Sequence, residues 1–175
     1  MDITDKLRYK IDQRALELYE RGHLNDDIDN INIRSDINKL LLPYQILHTF
    51  NMINALKNNK VVIDGSYTGT GKTFTTAASC AQLNLTVVVI CPKSIISSWK
   101  NILDLFKVKS IMIVNYETIR SLKYIDKNGD KKECPYIKKV NGNFIWDFST
   151  HSSKGKDIVM IFDEVHKCKN KNSIN

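Results

Sequence analysis

Several features are scarce or missing in this 175-residue chain. No apolar stretch approaches the roughly 20 residues needed to cross a bilayer. The opening MDITDKLRYK is charged where a secretory leader needs an apolar core. The expectation is a soluble, intracellular protein with no membrane partner. The four cysteines, Cys80, Cys91, Cys134 and Cys168, form no C-x-x-C pair. Two of them fall in apolar segments, where a reduced thiol packs as a small hydrophobe, so a reducing compartment such as cytoplasm or nucleus is expected. Acidic groups fail to balance the basic ones in one half only. Residues 1–90 hold ten basic and ten acidic side chains, whereas residues 91–175 hold sixteen and nine, so the whole net charge of +7 lies in the second half. That excess is compatible with a polyanionic partner and equally with a lysine-rich solvated surface.

Glycine is also scarce, with seven in all, yet two of them flank a single threonine in SYTGTGKT, residues 66–73. The loop follows an apolar run, VVID, and precedes FTTAASCAQL. Glycines let backbone N–H groups turn toward an anion, and a Lys-Thr pair can reach a terminal phosphate and its metal. Backbone amides of Gly69, Thr70 and Gly71 would face phosphates at the positive end of the following helix. Lys72 would reach the β and γ phosphates, and Thr73 would ligate magnesium. A strict phosphate loop has glycine where this chain has Ser66.

Such a loop calls for an acidic partner at the tip of a neighbouring strand, and IVMIFDEVH supplies one. Asp163 emerges after five apolar residues, placed to hold magnesium, and Glu164 comes next, placed as a general base toward water.

The rest of the chain alternates. With 175 residues and 42% hydrophobic content, the chain is long enough for one domain with a core and too short for two full-sized lobes. Residues 1–22 read as an amphipathic helix and the stretch to about residue 40 as a polar connector. A helix is expected from LLPYQ onward, with Pro43 in its first turn and Ile46, Phe50 and Ile53 on one face. Next come a buried strand at 61–64, a helix at 72–83, a strand at 86–92 and a helix at 94–106 with Ile95, Trp99, Ile102 and Phe106 in one stripe. Further strands are expected at 111–115 and 158–162. Short Val/Ile runs separated by helices indicate a mostly parallel sheet in an α/β fold. Residues 121–157 break the pattern as an insertion, within which KKVNGNFIW reads as a two-residue hairpin.

With these elements in place, the chain resembles the superfamily 2 helicases and translocases. SYTGTGKT (Ser66, Tyr67, Thr68, Gly69, Thr70, Gly71, Lys72, Thr73) is similar to their motif I. DEVHKCKN is similar to motif II in the form carried by Swi/Snf-type enzymes, although Thr68 belongs to the wider DExH pattern. LLPYQ resembles the segment whose glutamine contacts adenine, which implies that role for Gln45. VVVICPKSIISSWK resembles motif Ia and IVNYETIR the region of motif Ib. The resemblance covers about residues 40–170. It implies a RecA-like lobe over 41–175 with a helical extension at 1–40, ATP and magnesium as ligands, and DNA or RNA as partner. It also implies that His166 couples the nucleotide site to the nucleic acid, and that Lys93, Tyr116 and Arg120 contact a phosphate backbone. Trp99 and Phe106 are assigned to the core.

Complete family members continue into a motif III and a second RecA-like lobe with an arginine finger. The expectation is therefore an N-terminal ATP-binding lobe, its sheet incomplete at the C-terminal end, that binds better than it hydrolyses. In the family's sheet the motif III strand lies between the phosphate-loop strand and the Asp163 strand, so residues 61–64 and 158–162 are expected to have no strand of this chain between them. Two alternatives stay open: a free-standing nucleotide-dependent binding module, and a phosphate-loop ATPase acting on a protein. The motifs and the wealth of Asn, Lys and Ile are similar to those of helicases from large DNA viruses, which would place the protein in a virion or viral factory.

Overall fold

In a computed structural model, residues 32–125, 129–149 and 157–164 are described. The N-terminal helix expected at 1–22, His166 and Cys168 lie outside them. The chain divides into two compact units, residues 1–33 and 34–175, and every described element belongs to the second.

A short helix α1 (Ser35–Asn38) leads into α2 (Pro43–Asn59). Pro43 starts α2 without cost because the first-turn N–H groups have no intrahelical partner. The buried stripe of α2 is Gln45, Thr49, Met52 and Ile53, while Ile46 and Phe50 are half-buried. This departs from the expected Ile46–Phe50–Ile53 face because α2 packs on α3 (Lys72–Gln82), a helix of small residues. Thr75, Ala77, Ala78 and Ser79 let the two backbones approach, and Ser79 Oγ donates to the Thr49 carbonyl at 3.5 Å.

Strand β1 (Thr86–Ile90) is buried along its whole length. After it come a 3₁₀ turn (Lys93–Ile95), α4 (Ile96–Leu105), β2 (Lys109–Val114) and α5 (Tyr116–Ser121). The buried stripe of α4 runs through Trp99, Leu103 and Phe106, with Ile102 only half-buried. The Phe106 ring meets Phe74 of α3 edge-on at 5.7 Å between centroids. Strand β7 (Ile158–Phe162) completes a parallel sheet in the order β2-β1-β7, as the alternating apolar runs require. The fold is α/β and RecA-like.

Between β2 and β7 the insertion forms two antiparallel hairpins, β3 (Lys123–Ile125) with β4 (Lys131–Glu133) and β5 (Ile137–Val140) with β6 (Asn143–Trp146). Asn141 and Gly142 turn the second hairpin with φ of 50° and 81°, the left-handed pair that an Asn-Gly turn supplies. The insertion has a packing role. Trp146 and Phe148, stacked at 5.8 Å, lie against Val88, Ile90 and Val114 on one face of the sheet. There, side chains from the hairpin and from α5 do the covering that a doubly wound fold usually assigns to crossover helices.

One expected strand is absent. Residues 61–64 belong to no ladder among the described residues, and Val61 and Ile63 are 69% and 88% exposed. Exposure still alternates along 61–66, as it does in extended chain. Among the described residues no neighbouring strand offers this segment hydrogen bonds, and its extended backbone joins no sheet there. Strand β7 likewise pairs on one side only among the described residues.

Candidate nucleotide and metal site

The three strands are parallel, so their carboxyl ends share one edge of the sheet. Lys93 follows β1, Tyr116 and Arg120 follow β2, and Asp163 and Glu164 follow β7. Helix α3 directly precedes β1. It runs back into β1 through a tight reversal at Asn84 (φ 55°), with the Leu85 amide donating to the Cys80 carbonyl at 2.9 Å. An 11-residue helix and a five-residue strand each span about 16 Å, lengths that would bring the start of a helix folded back along β1 toward the strands' carboxyl ends.

The loop before α3 is held by its own side chains. Gly69 and Gly71 take φ of +88° and +83°, a region costly to any residue with a Cβ. Thr70 Oγ1 donates to the Tyr67 carbonyl at 2.9 Å and lies 3.1 Å from Ser66 Oγ. Lys72 Nζ is turned into the loop, donating to the Ser66 carbonyl at 2.6 Å and the Tyr67 carbonyl at 3.2 Å. Ser66 thus contributes a carbonyl and a hydroxyl where the strict pattern has glycine. Tyr67, Thr68 and Gly69 are exposed, and Thr73 is half-buried in the first turn of α3.

Two supports of this loop were not anticipated. Gln45, only 5% exposed, accepts the Leu42 amide on Oε1 at 3.0 Å and donates from Nε2 to the Thr70 carbonyl at 3.4 Å. It therefore struts the start of α2 against the phosphate loop. Asp64 accepts the Ser66 amide at 3.0 Å on one carboxylate oxygen and meets His48 Nε2 at 3.0 Å on the other. Burial pushes the Asp64 carboxyl up, but the bonds from Ser66 and His48 outweigh it and hold its pKa below the ordinary carboxylate value. A lone aspartate after an apolar run carries no such signal in sequence.

Asp163 is half-buried and held through its amide, its carbonyl and one carboxylate oxygen. Its amide donates to the Ile90 carbonyl at 2.9 Å, continuing the β7–β1 ladder by one residue. Its carbonyl accepts the Tyr116 hydroxyl at 2.5 Å, and its Oδ2 accepts the Trp99 indole N–H at 2.8 Å. Trp99 is a core residue at 2% exposure, as assigned from its helix stripe, and its polar edge also serves this carboxylate. Tyr116 commits its hydroxyl here, while Lys93 and Arg120 are exposed. Glu164 is exposed with φ 57°, uncommon for a residue that is neither glycine nor asparagine, and it turns the chain out of the strand. Beneath the site, burial and then the Asp163 charge push the Cys91 thiol up to about 11. Cys91 is therefore a packed thiol, not a nucleophile.

The donor set suits magnesium shared with phosphate oxygens. The candidate ligands, Asp163 and Thr73, are hard oxygens, and among the described residues no group of three or more His, Cys, Asp or Glu could cage an ion unaided. No described helix is long and apolar enough to cross a membrane.

A family model described as "Type III restriction enzyme, res subunit" matches residues 38–175. The chain belongs to this family. It is an N-terminal lobe of the superfamily 2 helicase type. Over 140 residues it is 40% identical to a protein of Acanthamoeba polyphaga mimivirus named "Putative ATP-dependent RNA helicase", a match covering 77% of this chain and 26% of that protein. The chain thus spans about a quarter of that relative's length. No solved structure matches.

Proposed function

We propose that the chain is the ATP-binding lobe of a nucleic-acid-dependent helicase or translocase, spanning residues 41–175 after a helical extension. The observation that carries this reading is the pair of left-handed glycines, Gly69 and Gly71, at the start of α3, with Lys72 Nζ turned into the loop they shape. Amides of Gly69, Thr70 and Gly71 bind phosphate oxygens, and Lys72 leaves the loop carbonyls to pair with the β and γ phosphates. Thr73 and Asp163 hold magnesium, which when bound neutralises charge on those phosphates. Glu164 orients and deprotonates the attacking water, and Gln45, already against the loop, contacts adenine. His166 couples this site to the polynucleotide.

Lys93 and Arg120, exposed on the same edge, meet the phosphate backbone, and Tyr116 supports that surface through its bond to Asp163. The relative's name favours RNA over DNA, and the wider likeness is to DExH enzymes, Swi/Snf-type translocases among them. Fluorescence anisotropy with labelled single-stranded RNA and DNA across a salt series tests the partner. Weak binding that falls steeply with salt is expected. No binding at low salt would point to a protein-directed ATPase instead.

A further inference from the structure

We infer that Trp99 is a positioning residue for the metal-holding carboxylate: its indole N–H, bonded to Asp163 Oδ2 at 2.8 Å, sets the orientation in which Oδ1 can face magnesium. This rests on the proposed assignment of Asp163 as a metal ligand. Trp99 lies on α4 and Asp163 just beyond β7, 64 residues apart in the chain, so the bond joins two separate elements. A buried indole N–H needs an acceptor, and a backbone carbonyl would satisfy it as well. Here the acceptor is the side chain at the tip of the sheet.

The surrounding bonds show what remains for the indole to fix. The amide of Asp163 is tied to Ile90 and its carbonyl to Tyr116, so the backbone is held from two sides. Only the χ torsions stay free, and the indole is the group that constrains them. No donor reaches Oδ1 among the described residues. Without the indole, a half-exposed carboxylate samples its other rotamers and is correctly oriented for a smaller share of the time.

The test is a magnesium chloride titration of the full chain with a fluorescent, non-hydrolysable ATP analogue. The readout is the gain in analogue affinity that magnesium confers. Asp163→Asn is the reference and should abolish that gain. Trp99→Phe, which keeps an aromatic ring and loses the donor, should reduce the gain roughly 3- to 10-fold. Should Trp99→Phe fail to fold by circular dichroism, replacing Trp99 with benzothienylalanine, which keeps the bicyclic shape without N–H, must give the same reduction. If Asp163→Asn abolishes the gain and the Trp99 replacements leave it at the wild-type value, the indole only fills the core and the inference is overturned. If Asp163→Asn itself changes nothing, the metal assignment falls first, and the inference falls with it.

Discussion

The side-chain amide of Gln45 occupies the space that a Cβ on Gly71 would need. The two residues belong to different motifs, and their contact ties the adenine-side helix to the turn of the phosphate loop. Gly71 is required there twice over, by this contact and by its φ of +83°. Gly71→Ala should lower stability by about 1–3 kcal/mol and disrupt the loop. Removing the overlap with Gln45→Ala should restore only part of the loss, because the backbone strain remains. Thermal melts of the two single variants and the double variant measure the two contributions.

Asp64 makes the loop sensitive to acid. Its pKa is depressed in the folded chain relative to the ordinary 3.8. The unfolded chain therefore takes up the proton first, and the stability Asp64 contributes is fully present above about pH 4 and lost as pH falls through the depressed value. Asp64→Ala leaves the Ser66 amide and His48 without this acceptor and should cost about 1–3 kcal/mol near neutral pH. Urea melts at pH 7 and pH 3 test both statements: the gap between wild type and variant should shrink at pH 3.

Among the described residues β7 is paired on one side only, and Val61 and Ile63 are exposed on an extended segment that joins no ladder there. Exposed apolar strand edges recruit other chains. The 175-residue chain should self-associate as concentration rises, and Ile63→Lys should suppress this without changing the circular dichroism spectrum. Sedimentation velocity over a concentration series decides; a chain that stays monomeric throughout contradicts the open-edge account.

The insertion's aromatic stack should matter more than its exposed tip. Trp146 packs on the sheet cluster of Val88, Ile90 and Val114, whereas Phe144 is exposed beneath Lys139. Trp146→Ala should cost about 2–4 kcal/mol and Phe144→Ala less than about 1. Denaturant melts compare them directly.

Elements that declare themselves through local pattern were legible in the sequence. The Val/Ile runs of β1, β2 and β7, the Asn-Gly turn of the second hairpin and the glycines of the phosphate loop each carry their own signal. What could not be read depends on which distant groups meet. Residues 61–64 have the composition of a strand, but strand formation needs a partner, and composition does not supply one. The α2 stripe came out rotated because its neighbour α3 is built of small residues that accept Gln45 and Thr49. Trp99 was read correctly as core, yet a helical stripe cannot show that its one polar atom would end on Asp163.

The central claim is that Ser66–Thr73 binds the phosphates of ATP with magnesium held by Asp163. Calorimetric titration of wild type and Lys72→Ala with magnesium and a non-hydrolysable ATP analogue tests it most directly. Loss of most of the binding in Lys72→Ala, with its melting temperature kept near wild type, is the predicted result. Equal affinity in the two proteins would contradict the assignment.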